Sequence, residues 1–462
     1  MKEFCINSER QTVNQEGSRE AIGARFRRVI GPIPNLKEIN LVCWGMFIAL
    51  LFARFLFSLW VEYKTGVGSF HILPADFIYF YGIGHIANEY PLTRLYDYSL
   101  QVKVFNEIFP ITDGAYGPSP YPPFVALFFS PFARLPIIPA YYLWAGISLL
   151  LYLTGIGAVV RSFFRGEPLK ASLIFCFALV YAPFLHNTLA NGQISTFAVC
   201  AVGIAIANER QGKPLSCGLS LAFLVYKPSL LLLIIPMLLL TRRFRTFFGF
   251  ILGATILGAA TTAIEGIEIW PAYVHFLSVF GRIAGFHNQS VLNLTQYIDL
   301  RASVLSVWGN QSVFNLVIFI LATSLIVAAL AVALWKSATA GRPAQDLAWA
   351  ITLTWTLLIN LYVPAYDSIL ISISAILTLG ALRDLDWSVA KGWSTALLVF
   401  ISVASWGTYQ SEKSHSGQLL TFTLAILGLF QLYILFKAAH RDSPFQTQAP
   451  RPALVQDSCA AE

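Results

Sequence analysis

The sequence predicts an all-α polytopic membrane protein, and three observations carry that prediction. Hydrophobic residues make up 56% of the chain and charged residues only 12%, with a mean hydropathy of +0.64, whereas a soluble domain carries about 25% charged residues. Apolar runs suited to crossing a hydrocarbon layer about 30 Å thick recur from residue 41 to residue 437. The basic residues gather in short clusters between those runs, as the positive-inside rule expects of cytoplasmic loops. A net charge of +7 distributed in this way does not describe a nucleic-acid-binding surface.

Residues 1–40 are polar and basic, with Arg25, Arg27 and Arg28 ahead of the first apolar run and no cleavable-signal pattern, so a cytoplasmic segment followed by a retained anchor is expected. Residues 41–437 form a single membrane-embedded domain. Its spans fall at roughly 41–61, 138–160, 170–186, 193–208, 214–226, 228–241, 246–264, 311–335, 346–363, 367–382, 390–408 and 418–437. Residues 121–135 are apolar but short and rich in proline, which reads as a re-entrant or interfacial helix. Phe77–Glu89 and Tyr98–Phe109 show helical apolar spacing and read as helices lying on the membrane surface. The tail, 438–462, is polar and expected to be disordered.

With the N-terminus cytoplasmic and 121–135 not crossing, 22 of the 31 lysines and arginines lie on the cytoplasmic side. The two long loops, 62–137 and 265–310, then face outward, and any chemistry belongs there. Six scattered cysteines show neither a metal-ligand spacing nor a disulfide framework. The chain has no phosphate-binding glycine loop, no paired-histidine zinc motif and no nucleophile elbow, so neither nucleotide-driven work nor a cofactor is expected, and no metal is demanded.

The first outer loop is aromatic and acidic. Asp76 stands among aromatic residues just beyond the first span, where an acid is expensive and usually functional; it is the candidate catalytic base. Tyr79, Tyr81, His85 and Tyr121 could bind sugar rings and hydroxyls, although interfacial tyrosines also form a simple aromatic belt. Asn191-Gly192-Gln193 marks a tight turn whose amides, Gln193 among them, serve either a ligand or a helix cap. Lys227-Pro228 interrupts an apolar stretch; proline breaks the helix and leaves a cation at the break, suited to a lipid phosphate or to snorkelling towards headgroups. Arg282 and Arg301 are second candidates for that phosphate. In the second outer loop His287, Asn288 and Gln289 are candidate sugar-binding groups. Asp367, after Tyr366, reads first as a helix N-cap and second as a site residue.

Taken in order, Asp76-Phe77 with Tyr79-Phe80-Tyr81, Leu95-Tyr96, Tyr121-Pro122-Pro123 followed by Ser130-Pro131-Phe132-Ala133-Arg134-Leu135-Pro136, Gly192-Gln193, Lys227-Pro228, Asn288-Gln289-Ser290 and Tyr366-Asp367 resemble glycosyltransferase family 87. That group, once a domain of unknown function, includes polyprenyl-phosphate-mannose-dependent mannosyltransferases and arabinofuranosyltransferases. The resemblance covers most of residues 40–385. It implies a GT-C bundle of about twelve transmembrane helices with an extracytoplasmic active site, a polyprenyl-phosphate sugar donor, and Asp76 as the catalytic aspartate. Some members carry a histidine near the late Tyr-Asp pair; here Val363-Pro364-Ala365 occupy that stretch, so no such role is carried over.

The function expected is transfer of a mannose-like hexose or arabinofuranose from that donor to a lipid or glycan acceptor outside the cytoplasm, in a bacterial inner membrane. A lipid or polysaccharide transporter is the alternative of a different class. It predicts internal pseudo-symmetry and mid-membrane charges, where this chain gathers its acids at one face. An envelope glycan polymerase or ligase shares the outer-face chemistry and stays open.

Overall fold

The computed structural model describes residues 36–65, 76–109, 117–283, 296–308, 313–361, 363–414 and 419–441. The chain falls into two units, residues 1–54 and 55–462; of the first, the opening part of helix α1 (Leu36–Thr65) is described. In the second, short helices α2 (Phe77–Glu89), α3 (Tyr98–Ile108) and α4 (Pro123–Phe129) precede α5 (Ile137–Phe164), α6 (Pro168–Leu179), a π-helix (Pro183–Ala190) and α7 (Thr196–Arg210). There follow α8 (Pro214–Leu221), α9 (Ile234–Leu240), α10 (Phe244–Glu265), α11 (Ile269–Ile283), α12 (Leu300–Trp308), α13 (Val313–Ser337) and α14 (Arg342–Ile359). A 3-10 helix (Ala365–Leu370), α15 (Ile371–Asp384), α16 (Ser388–Ser414) and α17 (Leu419–Arg441) complete the chain. The described residues are helical and connecting, with one isolated antiparallel pairing of Tyr297 and Pro364.

Among the described residues, six helices are long and apolar enough to cross a membrane: Val42–Val61, Ile137–Phe164, Phe244–Glu265, Leu316–Ser337, Ala365–Asp384 and Leu419–Ala439. A seventh is added if α6 and the π-helix, bent by 58° at their junction, are one span. The other expected spans fall short of that measure for visible reasons. Lys227-Pro228 divides Pro214–Leu240 into two short apolar pieces, α7 has only 15 residues, and α14 carries Arg342 and Asp346.

The segment 121–135 is short and broken at its prolines. Helix α4 has seven residues, about 10 Å of rise, and its buried face (Val125, Ala126, Phe129) packs against α2. Helix α2 departs from the surface helix expected. Phe77, Ile78, Phe80, Tyr81, Ile83 and Ile86 are all buried, so it is enclosed by protein on most of its circumference. The Phe77, Phe80 and Phe129 rings and Trp144 of α5 form a continuous aromatic core beneath it. Helices α5 and α7 touch backbone to backbone: a β-carbon on Gly203 would stand 2.3 Å from the Gly155 carbonyl oxygen. Small residues permit that approach where packing rather than the hydrophobic effect joins helices.

At the end of the bundle holding the short basic loops, ion pairs tie the helices together. Arg210 pairs with Asp346 and lies over the Phe163 ring at 3.7 Å. Glu209 accepts from Arg243 at 2.8 Å and from the Trp349 indole at 2.7 Å. The opposite end carries a different set of charges.

Candidate active site

Two aspartates between α1 and α5 stand directly before helices, and their side chains have opposite fates. Asp97 caps α3: its carboxylate accepts from the Ser99 and Leu100 amides at 3.1 and 3.2 Å and from the Ser99 hydroxyl at 2.6 Å, with Arg94 at 2.8 Å. The Ser99 hydroxyl and Arg94 hold its pKa at about 2. Asp76 occupies the same position before α2, yet its side chain makes no cap bond. Burial pushes its pKa up to about 6, and a hydrogen bond from the Gln193 side chain only partly offsets that. A carboxylate withheld from the helix end that it could cap is available for proton transfer.

The backbone around Asp76 is fixed from the other side of the bundle. The Phe77 amide donates to the Asn191 carbonyl at 3.1 Å, and the Trp144 indole donates to the Gly192 carbonyl at 2.9 Å. Gly192 takes a positive φ of 78° and lies against Phe77, where an added β-carbon would stand 2.8 Å from the Phe77 Cβ. Asn191 caps the π-helix, its amide donating to the His186 carbonyl at 3.0 Å, and the same turn docks the start of α2 and brings Gln193 to Asp76. The Gln193 residue is buried, and its Oε1 has no partner among the described residues.

Lys227 stands where the sequence predicts a helix break, in extended backbone (φ −141°, ψ 81°) between the 3-10 helices Ala222–Tyr226 and Pro228–Leu231, as the residue before proline prefers. Its ammonium pairs with Asp367 and lies 4.9 Å from the Tyr366 ring centre. The expectation that Asp367 serves as an N-cap is overturned. Pro364 holds the cap position of its 3-10 helix, and the Asp367 carboxylate instead binds Lys227 and accepts from the Ser195 hydroxyl at 2.9 Å. Asp367 is almost wholly enclosed, so the Lys227 charge answers an otherwise costly buried anion.

Tyr121 joins the two halves. Burial raises its pKa, the carboxylates of Asp367 and Asp76 raise it further, and its hydroxyl shares a hydrogen bond with Tyr366. Tyr79 also lies near Asp76, and its hydroxyl accepts from the Gly117 amide at 3.3 Å. Asp76, Tyr79, Tyr121, Gln193, Lys227 and Asp367, spread over almost 300 residues of sequence, thus meet in one polar cluster. Ser195, Tyr226 and Tyr366 belong to it without having been singled out as site residues. Ser195 and Tyr226 each lie within two residues of a predicted position, which is the only signal the sequence offers.

Other candidates lie elsewhere. The Tyr81 hydroxyl donates to the Leu135 carbonyl at 2.8 Å, a structural tie. His85 sits partly buried about one turn beyond Tyr81 on α2. Arg282 is exposed in the last turn of α11. Arg301 stands beside Asp299, whose carboxylate accepts from the Ala302 and Val363 amides at 2.8 and 3.0 Å and so anchors the chain next to Tyr366. His287, Asn288 and Gln289 lie outside the described residues.

A family model for glycosyltransferase family 87 matches residues 120–364, more than half of the chain. The chain belongs to glycosyltransferase family 87. Its matched stretch contains Tyr121, Gln193, Ser195, Tyr226 and Lys227; Asp76 and Asp367 fall outside it and reach the cluster through the fold. No curated protein and no solved structure matches the chain. Family 87 membership and the apolar helices make this a membrane glycosyltransferase.

Proposed function

We propose that this family 87 enzyme moves a sugar from a polyprenyl-phosphate donor to a hydroxyl of a lipid or glycan acceptor on the extracytoplasmic face of a bacterial inner membrane. A mannose-like hexose or arabinofuranose is the sugar expected. The single observation that carries the reading is the cluster itself: a carboxylate kept from its helix end, Asp76, shares one site with a cation, Lys227, held by Asp367. A base for an acceptor hydroxyl and a cation for a departing phosphate are the two groups the reaction needs.

The acceptor oxygen attacks the anomeric carbon and its proton passes to Asp76, while the bond from the anomeric carbon to the phosphate oxygen breaks and the polyprenyl phosphate leaves with that electron pair. General-base assistance contributes roughly 10²–10⁴-fold. A carboxylate with a pKa of about 6 is still ionised at pH 7 and is a stronger base than an exposed aspartate. Lys227 has three N–H donors; with one on Asp367, the others meet the phosphate, and preorganised charge of this kind is often the largest catalytic contribution. Arg301, beside Asp299, is the second candidate for the same phosphate. The free Gln193 Oε1 and the Tyr79 and Tyr121 hydroxyls supply contacts for sugar hydroxyls. A membrane-embedded bundle with the cluster at the end away from the basic loops fits a donor that a lipid carries across, since nucleotide sugars do not reach that side.

The purified enzyme offered radiolabelled polyprenyl-phosphate mannose, polyprenyl-phosphate arabinofuranose, a polyprenyl-diphosphate-linked glycan and the matching nucleotide sugars tests the donor class. Label should enter membrane lipid or glycan extracts from a polyprenyl-phosphate donor only. Transfer from a nucleotide sugar, or from a diphosphate-linked glycan alone, would overturn the reading.

A further inference from the structure

Helix α11 begins four residues after the span Phe244–Glu265 ends, and the chain turns between them at Gly266, whose φ of 81° lies in the left-handed region. Helix α11 is therefore at the level of the membrane boundary. At about 100° per residue, its residues sort into three sectors, and the two exposed turn residues just before it, Ile267 and Glu268, extend the second and the third. Ile269, Tyr273 and Phe276 are buried; Tyr273 and Phe276 pack on the Tyr96 ring at 5.1 and 5.4 Å, and the Tyr273 hydroxyl donates to the Pro120 carbonyl at 3.4 Å. A second sector is apolar yet turned outward: Ile267, Val274 and Leu277 are 68%, 63% and 43% exposed. The third, Glu268, His275, Ser278 and Arg282, is polar and exposed.

A helix needs only one apolar face to pack on protein. The second apolar sector follows directly in the chain on the outward apolar residues of α10, where Ile256 and Ile264 are 56% and 65% exposed, and its polar flank lies next to it, as in helices embedded at the boundary of headgroups and acyl chains. We propose that α11 lies in the membrane interface, with Ile267, Val274 and Leu277 among lipid acyl chains and His275, Ser278 and Arg282 at the headgroups. The occupant of this face is lipid: the sector follows directly in the chain on the outward apolar residues of a membrane span, and the one cation in the last turn of α11 sits on the polar sector. This goes beyond the proposed reaction and does not depend on the donor. Its consequence for the site is mechanical. Through Tyr273 and Phe276, α11 braces Tyr96, whose hydroxyl donates to the Tyr121 carbonyl at 2.9 Å, so the bilayer surface supports the loop that carries Tyr121.

The test uses the full chain with its six cysteines (5, 43, 176, 200, 217 and 459) replaced. Single nitroxide labels are placed at Ile267, Val274, Leu277, Glu268, His275 or Ser278, in nanodiscs of phosphatidylethanolamine and phosphatidylglycerol. Collision with oxygen should exceed collision with a water-soluble nickel chelate at the three apolar positions, and the preference should reverse at the three polar ones. Nickel accessibility in both sectors would place α11 in water; exclusion of both reagents from the apolar sector would show it covered by protein. Either overturns the proposal. Should the cysteine-free chain fail to fold, the unaltered protein in nanodiscs carrying a lipid with a photoreactive acyl chain gives the same answer. Adducts are expected at Ile267, Val274 or Leu277, and their absence there while α10 is labelled contradicts it.

Discussion

Removing Asp367 or Lys227 singly and together separates a phosphate-binding pair from a mere helix staple. The Asp367 side chain is 1% exposed and that of Lys227 19%. Lys227→Met leaves the aspartate enclosed with only the Ser195 hydroxyl, so about 3–5 kcal/mol of stability should be lost, as for breaking a buried pair from one side. Asp367→Asn is milder, about 1–3 kcal/mol, because the lysine head can turn to solvent. The double variant Lys227→Met/Asp367→Asn carries no stranded charge and should recover part of that loss, with a coupling energy of about 1–3 kcal/mol. Thermal or denaturant melts in one detergent give these values. Kinetics then give the second half. A charged contact to the donor phosphate is worth about 1.5–3 kcal/mol, so the recovered double variant should still need about 10- to 100-fold more donor, with its acceptor dependence unchanged. A stable double variant with an unaltered donor KM would refute the assignment of Lys227 to the phosphate. Strictly additive stability losses would refute the pair itself.

Three further outcomes follow from the geometry. Asp76→Asn should stabilise the fold at neutral pH: the folded pKa is raised from 3.8 to about 6, and at 1.36 kcal/mol per pK unit the ionised group costs about 3 kcal/mol. The sign follows from linkage: the folded state binds the proton more tightly, so the advantage of asparagine is complete above about pH 6 and disappears as the pH falls towards 4. Melts across that window read it, and a neutral-pH loss of stability would contradict the account. Gly192→Ala should lose about 1–3 kcal/mol from a left-handed backbone position that also abuts Phe77, and should lower turnover by shifting Asp76; unchanged turnover in a destabilised variant would detach the turn from the site. Arg210→Ala, at the other end of the bundle, strands the enclosed Asp346. It should lower the melting temperature while leaving both substrate KM values alone, and a changed donor KM would show that the two ends are coupled.

How legible the site was depends on what each residue does locally. Lys227 was visible because a proline beside it dictates a break in any helix, and a charge at that break has few structural uses. Asp76 was visible because a carboxylate is costly among aromatics. Asp367 was misjudged because a carboxylate before a hydrophobic run resembles a cap; what decides its role is Lys227, 140 residues away, and no local pattern encodes that distance. Ser195 and Tyr226 were passed over because a hydroxyl in an apolar helix looks the same whether it lines a site or bonds its own backbone. The helical class followed directly from composition. The surface placement of α2 did not hold, because its apolar spacing gives the buried face but cannot show that α3 and α4 enclose the rest.

The most direct test of the central claim, that Asp76 is the base of a lipid-phosphate-dependent transfer, is single-turnover sugar transfer by Asp76→Asn beside the unaltered enzyme. Both are loaded with the same polyprenyl-phosphate donor, and folding of both is checked by melt. The account predicts a rate lower by roughly 10²–10⁴-fold in a variant at least as stable as the parent. Transfer at the parent rate in that well-folded variant would contradict it.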